Sequence, residues 1–281
     1  MARLRIGHTS DADDAFMFFG WAQGAVSILP DQAVFNTEDI EALNQRARTG
    51  EMDMTAISAA VYPTVAQEYR ITASGAALAR GAGPVVVARQ SRPVGTPDAL
   101  RGQQVAIPGE NTTAYMLLRI YVPGVVPVPT RFDRIADLVA EGAVQAGLLI
   151  HQGPMTYASQ GLVKVLDLGE QWSRDTGLPL PLGLNVVHRR LGVEMAHRLH
   201  QALAASIRHA QEHEEEAMSY AGQFSPGLDM EGVRRFVNAF VNRDALQMGE
   251  EGRHALETLY QRACLAGIIQ QVPPLDIVGL E

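Results

Sequence analysis

The feature that most constrains this chain is an alternation that occurs twice. Short apolar runs are separated by segments of helical periodicity, which is how strands joined by crossover helices in a largely parallel sheet appear in sequence. In the first round, residues 4–7 are predicted as a strand, 14–21 as a helix and 33–35 as a second strand. Ile40, Leu43 and Ala47 then mark a helix face, and residues 54–57 a third strand. Residues 83–88 form a continuous apolar run, suited to a crossing strand buried on both faces. A polar stretch with Pro and Gly punctuation, residues 91–98, reads as a linker. The alternation restarts with residues 105–107, a helix over 112–121, a helix bearing Ile135, Leu138 and Val139, and a strand over 147–150.

A turn is expected at Pro179-Leu180-Pro181-Leu182-Gly183, followed by a helical tail whose clearest stripe is Val233, Phe236, Val237, Phe240 and Val241. At 281 residues the chain is long for one core and about right for two α/β lobes. The economical arrangement is a first lobe from residues 1–90 and 185–281 and an inserted second lobe from 91–184. Two crossing segments would serve as the hinge. Ligand sites in such sheets lie beyond the carboxyl ends of the strands, where the lobes meet.

Charge narrows the partners. The formal net charge is -8 and Lys and Arg are not clustered, so the electropositive face that nucleic acid or an anionic membrane would attract is missing. A small acidic metabolite is still admissible, because helix N-termini and a few local donors can hold a carboxylate whatever the total charge. No apolar run of signal-peptide length precedes Asp11, and no run approaches the roughly 20 residues of a bilayer span, so a cytoplasmic location is expected. The single Cys264 lies in the pattern Leu256, Leu259, Tyr260, Ala263 and reads as a core residue. A homodimer is compatible with the sequence.

Three loops would face an interlobe cleft. Thr9-Ser10-Asp11-Ala12-Asp13-Asp14 follows the first strand and opens a helix, where Ser and Asp side chains can cap a first turn; Asp14 is the acidic residue retained as a candidate ligand contact. Thr55-Ala56-Ile57-Ser58 ends the third strand, with hydroxyls placed to meet a ligand oxygen or to cap the next helix. Pro108-Gly109-Glu110-Asn111-Thr112-Thr113-Ala114-Tyr115 joins a tight turn to a helix N-terminus and offers backbone amides and hydroxyls to an anion.

His151 follows directly on the predicted strand 147–150. A strand terminus aimed at a cleft holds an imidazole on a rigid element, and an ordinary pKa near 6.5 lets it exchange protons at neutral pH. His209-Ala210-Gln211-Glu212-His213 matches an inverted zinc-protease pattern. Leu199, Leu203, Ile207 and Ala210 form the apolar face of that helix and leave both histidines on its flank beside Glu214, Glu215 and Glu216, so a solvated face accounts for them and no metal is assigned. Ala79-Arg80-Gly81-Ala82-Gly83 lacks the spacing of a phosphate loop.

The segments Asp11-Ala12-Asp13-Asp14-Ala15-Phe16-Met17-Phe18, Asp39-Ile40-Glu41-Ala42-Leu43-Asn44, Thr55-Ala56-Ile57-Ser58, Asn111-Thr112-Thr113-Ala114-Tyr115, Gly147-Leu148-Leu149-Ile150-His151 and Leu166-Asp167-Leu168-Gly169 together resemble one family. It is the 1,4-dihydroxy-6-naphthoate synthase family of the futalosine route to menaquinone. Thr176-Gly177-Leu178-Pro179-Leu180-Pro181-Leu182-Gly183 and Val241-Asn242 extend the likeness over most of the chain. The resemblance implies a periplasmic-binding-protein-like fold of type II, without export.

It also implies a lyase reaction that opens cyclic dehypoxanthinyl futalosine, releases a three-carbon fragment and leaves 1,4-dihydroxy-6-naphthoate, with no metal or organic cofactor. By this likeness His151 is the proton acceptor. Thr55, Ala56, Ile57, Ser58, Thr112, Thr113, Tyr115 and Asp14 hold the substrate. Neighbouring expectations are a sister activity on the same scaffold, such as chorismate dehydration, and a non-catalytic binder of a small aromatic acid. Two departures stand out. Many members carry Glu directly after the histidine, where this chain has Gln152, and members of assigned activity often have Cys-Pro-Asn-Asp where this chain has Asp11-Ala12-Asp13-Asp14.

Overall fold

The apolar runs become strands of two separate sheets in the computed structural model, which describes residues 3–27, 33–225 and 227–280. The strands are β1 (Leu4–Thr9), β2 (Ala33–Glu38), β3 (Met54–Ser58), β4 (Tyr69–Thr72), β5 (Ala77–Ala79), β6 (Val85–Arg89), β7 (Gln104–Ile107), β8 (Val126–Pro129), β9 (Ala146–Leu149), β10 (Leu162–Asp167), β11 (Leu180–His188) and β12 (Ile277–Val278). The first sheet runs β12-β4-β11-β3-β1-β2, with β5 also on β11. β1 is parallel to β2 and β3, while the returning β11 is antiparallel to β3, β4 and β5. The second sheet runs β10-β6-β9-β7-β8 and mixes parallel and antiparallel pairs.

β6 pairs with β9 and β10, so the second sheet begins at Val85, inside the stretch read from sequence as first lobe. Its buried run of Val85, Val86, Val87 and Ala88 fits a strand covered on both faces. The segment 179–183 also departs from its reading. It is not a turn but the start of β11, and Pro181 is accommodated where the pairing with β5 shifts register before Gly183. The tail is helical as read, apart from β12, which adds to the edge of the first sheet.

Two connections cross between the sheets, one ahead of β6 and one between β10 and β11. They press against each other. A Cβ on Gly169 would lie 2.2 Å from the Ala82 carbonyl oxygen, and one on Gly83 would lie 2.8 Å from Gly169 Cα. The Leu168 N–H donates to the Pro84 carbonyl at 3.0 Å. Only glycine permits so close an approach of two backbones, and this ties the crossings into one junction.

One hydrophobic cluster runs through both lobes, from Ile71 and Leu78 through Leu117 and Leu148 to Trp172 and Tyr260. Each large side chain so buried contributes about 1.5–3 kcal/mol. A second cluster packs the helices Ala12–Met17, Phe19–Ala22, Gly192–Glu212, Glu214–Gly222 and Met230–Phe240 on the outer face of the first sheet. The predicted stripe holds there, with Val233, Phe236 and Val237 buried. Among the described residues no helix is long and apolar enough to cross a membrane.

Candidate active site

A cavity of about 290 Å³ opens between the sheets. The first lobe supplies Thr9, Asp11, Asp13 and Asp14 after β1, Ala56, Ile57 and Ser58 at the end of β3, and Leu182, Leu184 and Asn185 on β11. The second lobe supplies Thr112, Thr113, Ala114 and His151. The helix Met230–Phe240 adds Arg235, Phe236 and Phe240.

His151 stands two residues beyond β9 with φ of 55°, the one non-glycine residue among those described with positive φ. An L-residue held in this left-handed region is uncommon, and such strain persists where the surroundings over-determine it. The imidazole packs edge-on to Phe132, with ring centroids 4.6 Å apart, and its Nδ1 lies 2.8 Å from Asp11 Oδ2. That contact crosses the cleft. It commits Nδ1 and leaves Nε2 as the nitrogen available to the cavity.

Asp11 occupies the N-cap position of the helix Ala12–Met17 with extended φ and ψ, yet its side chain makes no capping bond. The capping reading of this loop is thus corrected at Asp11, whose carboxylate is turned to the histidine. The expected helix 14–21 starts earlier, at Ala12, and is broken at Phe18 into Ala12–Met17 and Phe19–Ala22. Asp14 lies inside the first of these, buried, and its Oδ2 accepts the Thr9 N–H at 2.6 Å.

Burial, the largest single influence on His151, pushes its pKa down. The Asp11 carboxylate raises it by charge and by hydrogen bond, Asp13 and Asp14 add to this, and the net position is above the ordinary imidazole value. Asp11 thus brings a carboxylate to His151, although the next residue in the chain is the uncharged Gln152. Asp13 is pushed up from 3.8 to about 8, by burial first and then by Asp14 and Asp11. It keeps its proton at neutral pH and so can donate a hydrogen bond. Asp14 is likewise raised by burial.

The remaining predicted residues divide. Ala56, Ile57, Ser58, Thr112, Thr113 and Asp14 reach the cavity wall, whereas Thr55 and Tyr115 are not part of it. Thr55 is fully buried within β3 with its hydroxyl bonded to the Ala56 carbonyl. Tyr115 packs against the common core with Arg119 over its ring, 5.8 Å from the centroid.

Both threonine hydroxyls are engaged within the protein. Thr112 Oγ1 donates to the Gly109 carbonyl and accepts from the Tyr115 N–H. Thr113 Oγ1 accepts from the Ala60 N–H and donates to the Leu182 carbonyl, which pins the start of the helix Thr113–Tyr121 to the first lobe. What this helix end still offers a ligand is the first-turn amides of Thr113 and Ala114, since that of Tyr115 is taken by Thr112 Oγ1.

Sequence reasoning missed four further contributors. Asn44, fully buried in the helix Ile40–Arg48, accepts the Ser58 N–H at 2.8 Å and donates to Ser58 Oγ at 3.0 Å and to the Asn111 carbonyl at 3.5 Å. It thereby joins a ligand loop of each lobe. Arg48 donates to Asn111 Oδ1 at 3.2 Å, and Glu41 accepts from Asn111 Nδ2. Glu41, Asn44 and Arg48 recur at helical spacing on one face, a signal that was present in the sequence but without a partner to aim at. Arg235 is the fourth; apart from His151 it is the one basic residue among the described lining residues. Phe236 and Phe240, read as core, also face the cavity.

Residues 4–264 match the family model described as menaquinone biosynthesis. The chain is 42% identical over 274 residues to a 1,4-dihydroxy-6-naphthoate synthase of Thermus thermophilus, covering 97% of this chain and 98% of that protein. It is 35% identical over 278 residues to a protein of the same name from Streptomyces coelicolor, covering 96% of each. A crystal structure of an Archaeoglobus fulgidus protein superposes with a TM-score of 0.89 at 43% identity, over 95% of this chain and 98% of that one. A Candida albicans protein described as having the generic periplasmic binding protein fold gives a TM-score of 0.73 at 11% identity, over 100% and 99% of the chains, and it shares the fold alone.

Proposed function

The chain belongs to the menaquinone biosynthesis family, and from that membership we propose that it is a 1,4-dihydroxy-6-naphthoate synthase, a carbon–carbon lyase in which His151 is the proton acceptor. The observation that carries the mechanistic part is the Nδ1–Asp11 contact at 2.8 Å across the cleft. With its proton held on Nδ1 by the carboxylate, the imidazole presents an unprotonated Nε2 to the cavity, and the same carboxylate stabilises the imidazolium once a proton has been taken.

Proton removal from cyclic dehypoxanthinyl futalosine allows the carbon–carbon bond to the three-carbon fragment to break, and the electron pair is absorbed as the second aromatic ring forms. A positioned base contributes about 10²- to 10⁴-fold, and orientation in the cavity supplies the rest. Asp13, protonated at neutral pH, is a donor suited to an oxygen that gains charge on the substrate or the departing fragment. The product name specifies a carboxylate, which the Asp11 carboxylate disfavours at its end of the cavity. Arg235 is the cation placed to receive it, beside the ring-sized apolar wall of Phe236 and Phe240.

The test is incubation of the purified protein with cyclic dehypoxanthinyl futalosine and chromatographic detection of the naphthoate. Wild-type turnover is expected, with loss in His151→Ala. Absence of wild-type turnover would sink the substrate, and full activity in His151→Ala would sink the mechanism.

A further inference from the structure

The helix Gly192–Glu212 ends at His213, which leaves helical geometry at φ −119° and ψ 46° before the helix Glu214–Gly222 begins. At this corner His209, Glu212 and His213 each turn one potential ligand atom toward the others, and these atoms all lie within 4.8 Å of one another. The solvated face read from the sequence is present, since Glu212 and His213 are exposed and His209 is half-buried. Convergence is what the fold adds.

The surroundings orient the trio. His213 Nδ1 lies 3.0 Å from the His209 carbonyl oxygen, so the ring donates there and its lone pair is fixed on Nε2. A ligating histidine usually donates its other ring N–H to a carbonyl or carboxylate in this way. The His209 ring is stacked between Phe19, with centroids 5.9 Å apart, and His213, at 4.1 Å. Gly20 lets the chain pass beneath it: a Cβ there would lie 3.0 Å from His209 Cβ. Arg234, on the helix Met230–Phe240, pairs with Glu214 and Glu215.

We propose that His209, Glu212 and His213 form a surface site for a borderline divalent transition ion of the Zn²⁺ class, which clamps the corner between the two helices. Two imidazoles and a carboxylate suit that class and leave a fourth, solvent position on a tetrahedral ion. Mg²⁺ and Ca²⁺ are excluded because they require oxygen ligands in greater number. The site is separate from the His151 cavity, and its role is to hold the corner, with no part in turnover.

The experiment is calorimetric titration of the full-length chain, stripped with EDTA, with ZnCl₂ and separately with MgCl₂. One equivalent of Zn²⁺ should bind, with no heat from Mg²⁺. His213→Gln, at an exposed position, should weaken Zn²⁺ binding by at least the roughly 10- to 100-fold that loss of even an outer partner costs a metal site. His209→Gln should do the same, while Cys264→Ala should leave binding unchanged. The thermal midpoint should rise with Zn²⁺ in wild type and not in His213→Gln, with naphthoate formation equal in both. Absence of Zn²⁺ binding, or binding undiminished in the double variant His209→Gln/His213→Gln, would overturn the site.

Discussion

Replacing Asp11 by Asn removes the largest of the charges that offset the burial of His151 and costs the helix Ala12–Met17 no capping bond, since the Asp11 side chain makes none. A hydrogen bond to a charged partner contributes about 1.5–3 kcal/mol, here to the protonated imidazole, so its loss lowers the affinity of His151 for the proton. With its largest compensating charge gone, the histidine should take up its proton at lower pH than in wild type. The acid limb of kcat/KM against pH should therefore move to lower pH in Asp11→Asn. The plateau should fall as well, by up to the roughly 10²- to 10⁴-fold contributed by a general base. An Asn amide can donate to Nδ1, and that places the ring proton on Nε2, where the base is needed.

Stability supplies an independent reading of the same pair. The folded-state pKa of His151 is raised, so the stabilisation from its protonated form is fully present below the free imidazole value. It is lost as pH rises through the raised one. Denaturant melts of wild type and Asp11→Asn should differ most near pH 6 and converge toward pH 9. A pH profile whose acid limb does not move, with a plateau equal to wild type, would refute the assignment of Asp11 to His151.

Other outcomes follow from the same geometry. Asp13→Asn should stabilise the fold above the ordinary carboxylate range: the raised pKa of about 8 means that folding is penalised as pH climbs from about 4 toward 8, so the gain in urea melts should be larger at pH 8 than at pH 5. Asn44→Ala leaves the buried Ser58 N–H unpaired and should cost about 1–3 kcal/mol in denaturant melts, with a raised KM because the β3 loop and the Asn111 loop lose their common partner. Arg235→Gln should raise KM about tenfold with kcat little changed, as expected for uniform binding of a carboxylate by an exposed arginine that shares its charge with Glu231. Equal KM in steady-state assays would remove Arg235 from the site.

The two-round alternation and the helical stripe of Val233, Phe236 and Val237 were legible because periods of 2 and 3.6 report directly which side of an element is apolar. His151 was legible for a related reason: it ends an apolar run, and a polar residue there has to leave the sheet. The Gly169–Gly83 contact, the shift of β6 into the second sheet and the straightening of residues 179–183 into β11 were not, because each depends on which strands pair. Periodicity is silent on partners.

The division is sharpest at the site itself. By itself the sequence determined two α/β lobes, a cleft at the strand ends and a histidine beside it. Tertiary structure alone decided that Asp11 abandons its helix cap for His151, that Thr55 points into the core while Ser58 does not, and that Asn44 spans both lobes. A hydrogen bond or a pKa depends on distances of a few ångströms between groups far apart in the chain, and only the folded packing of both lobes brings those groups within that range.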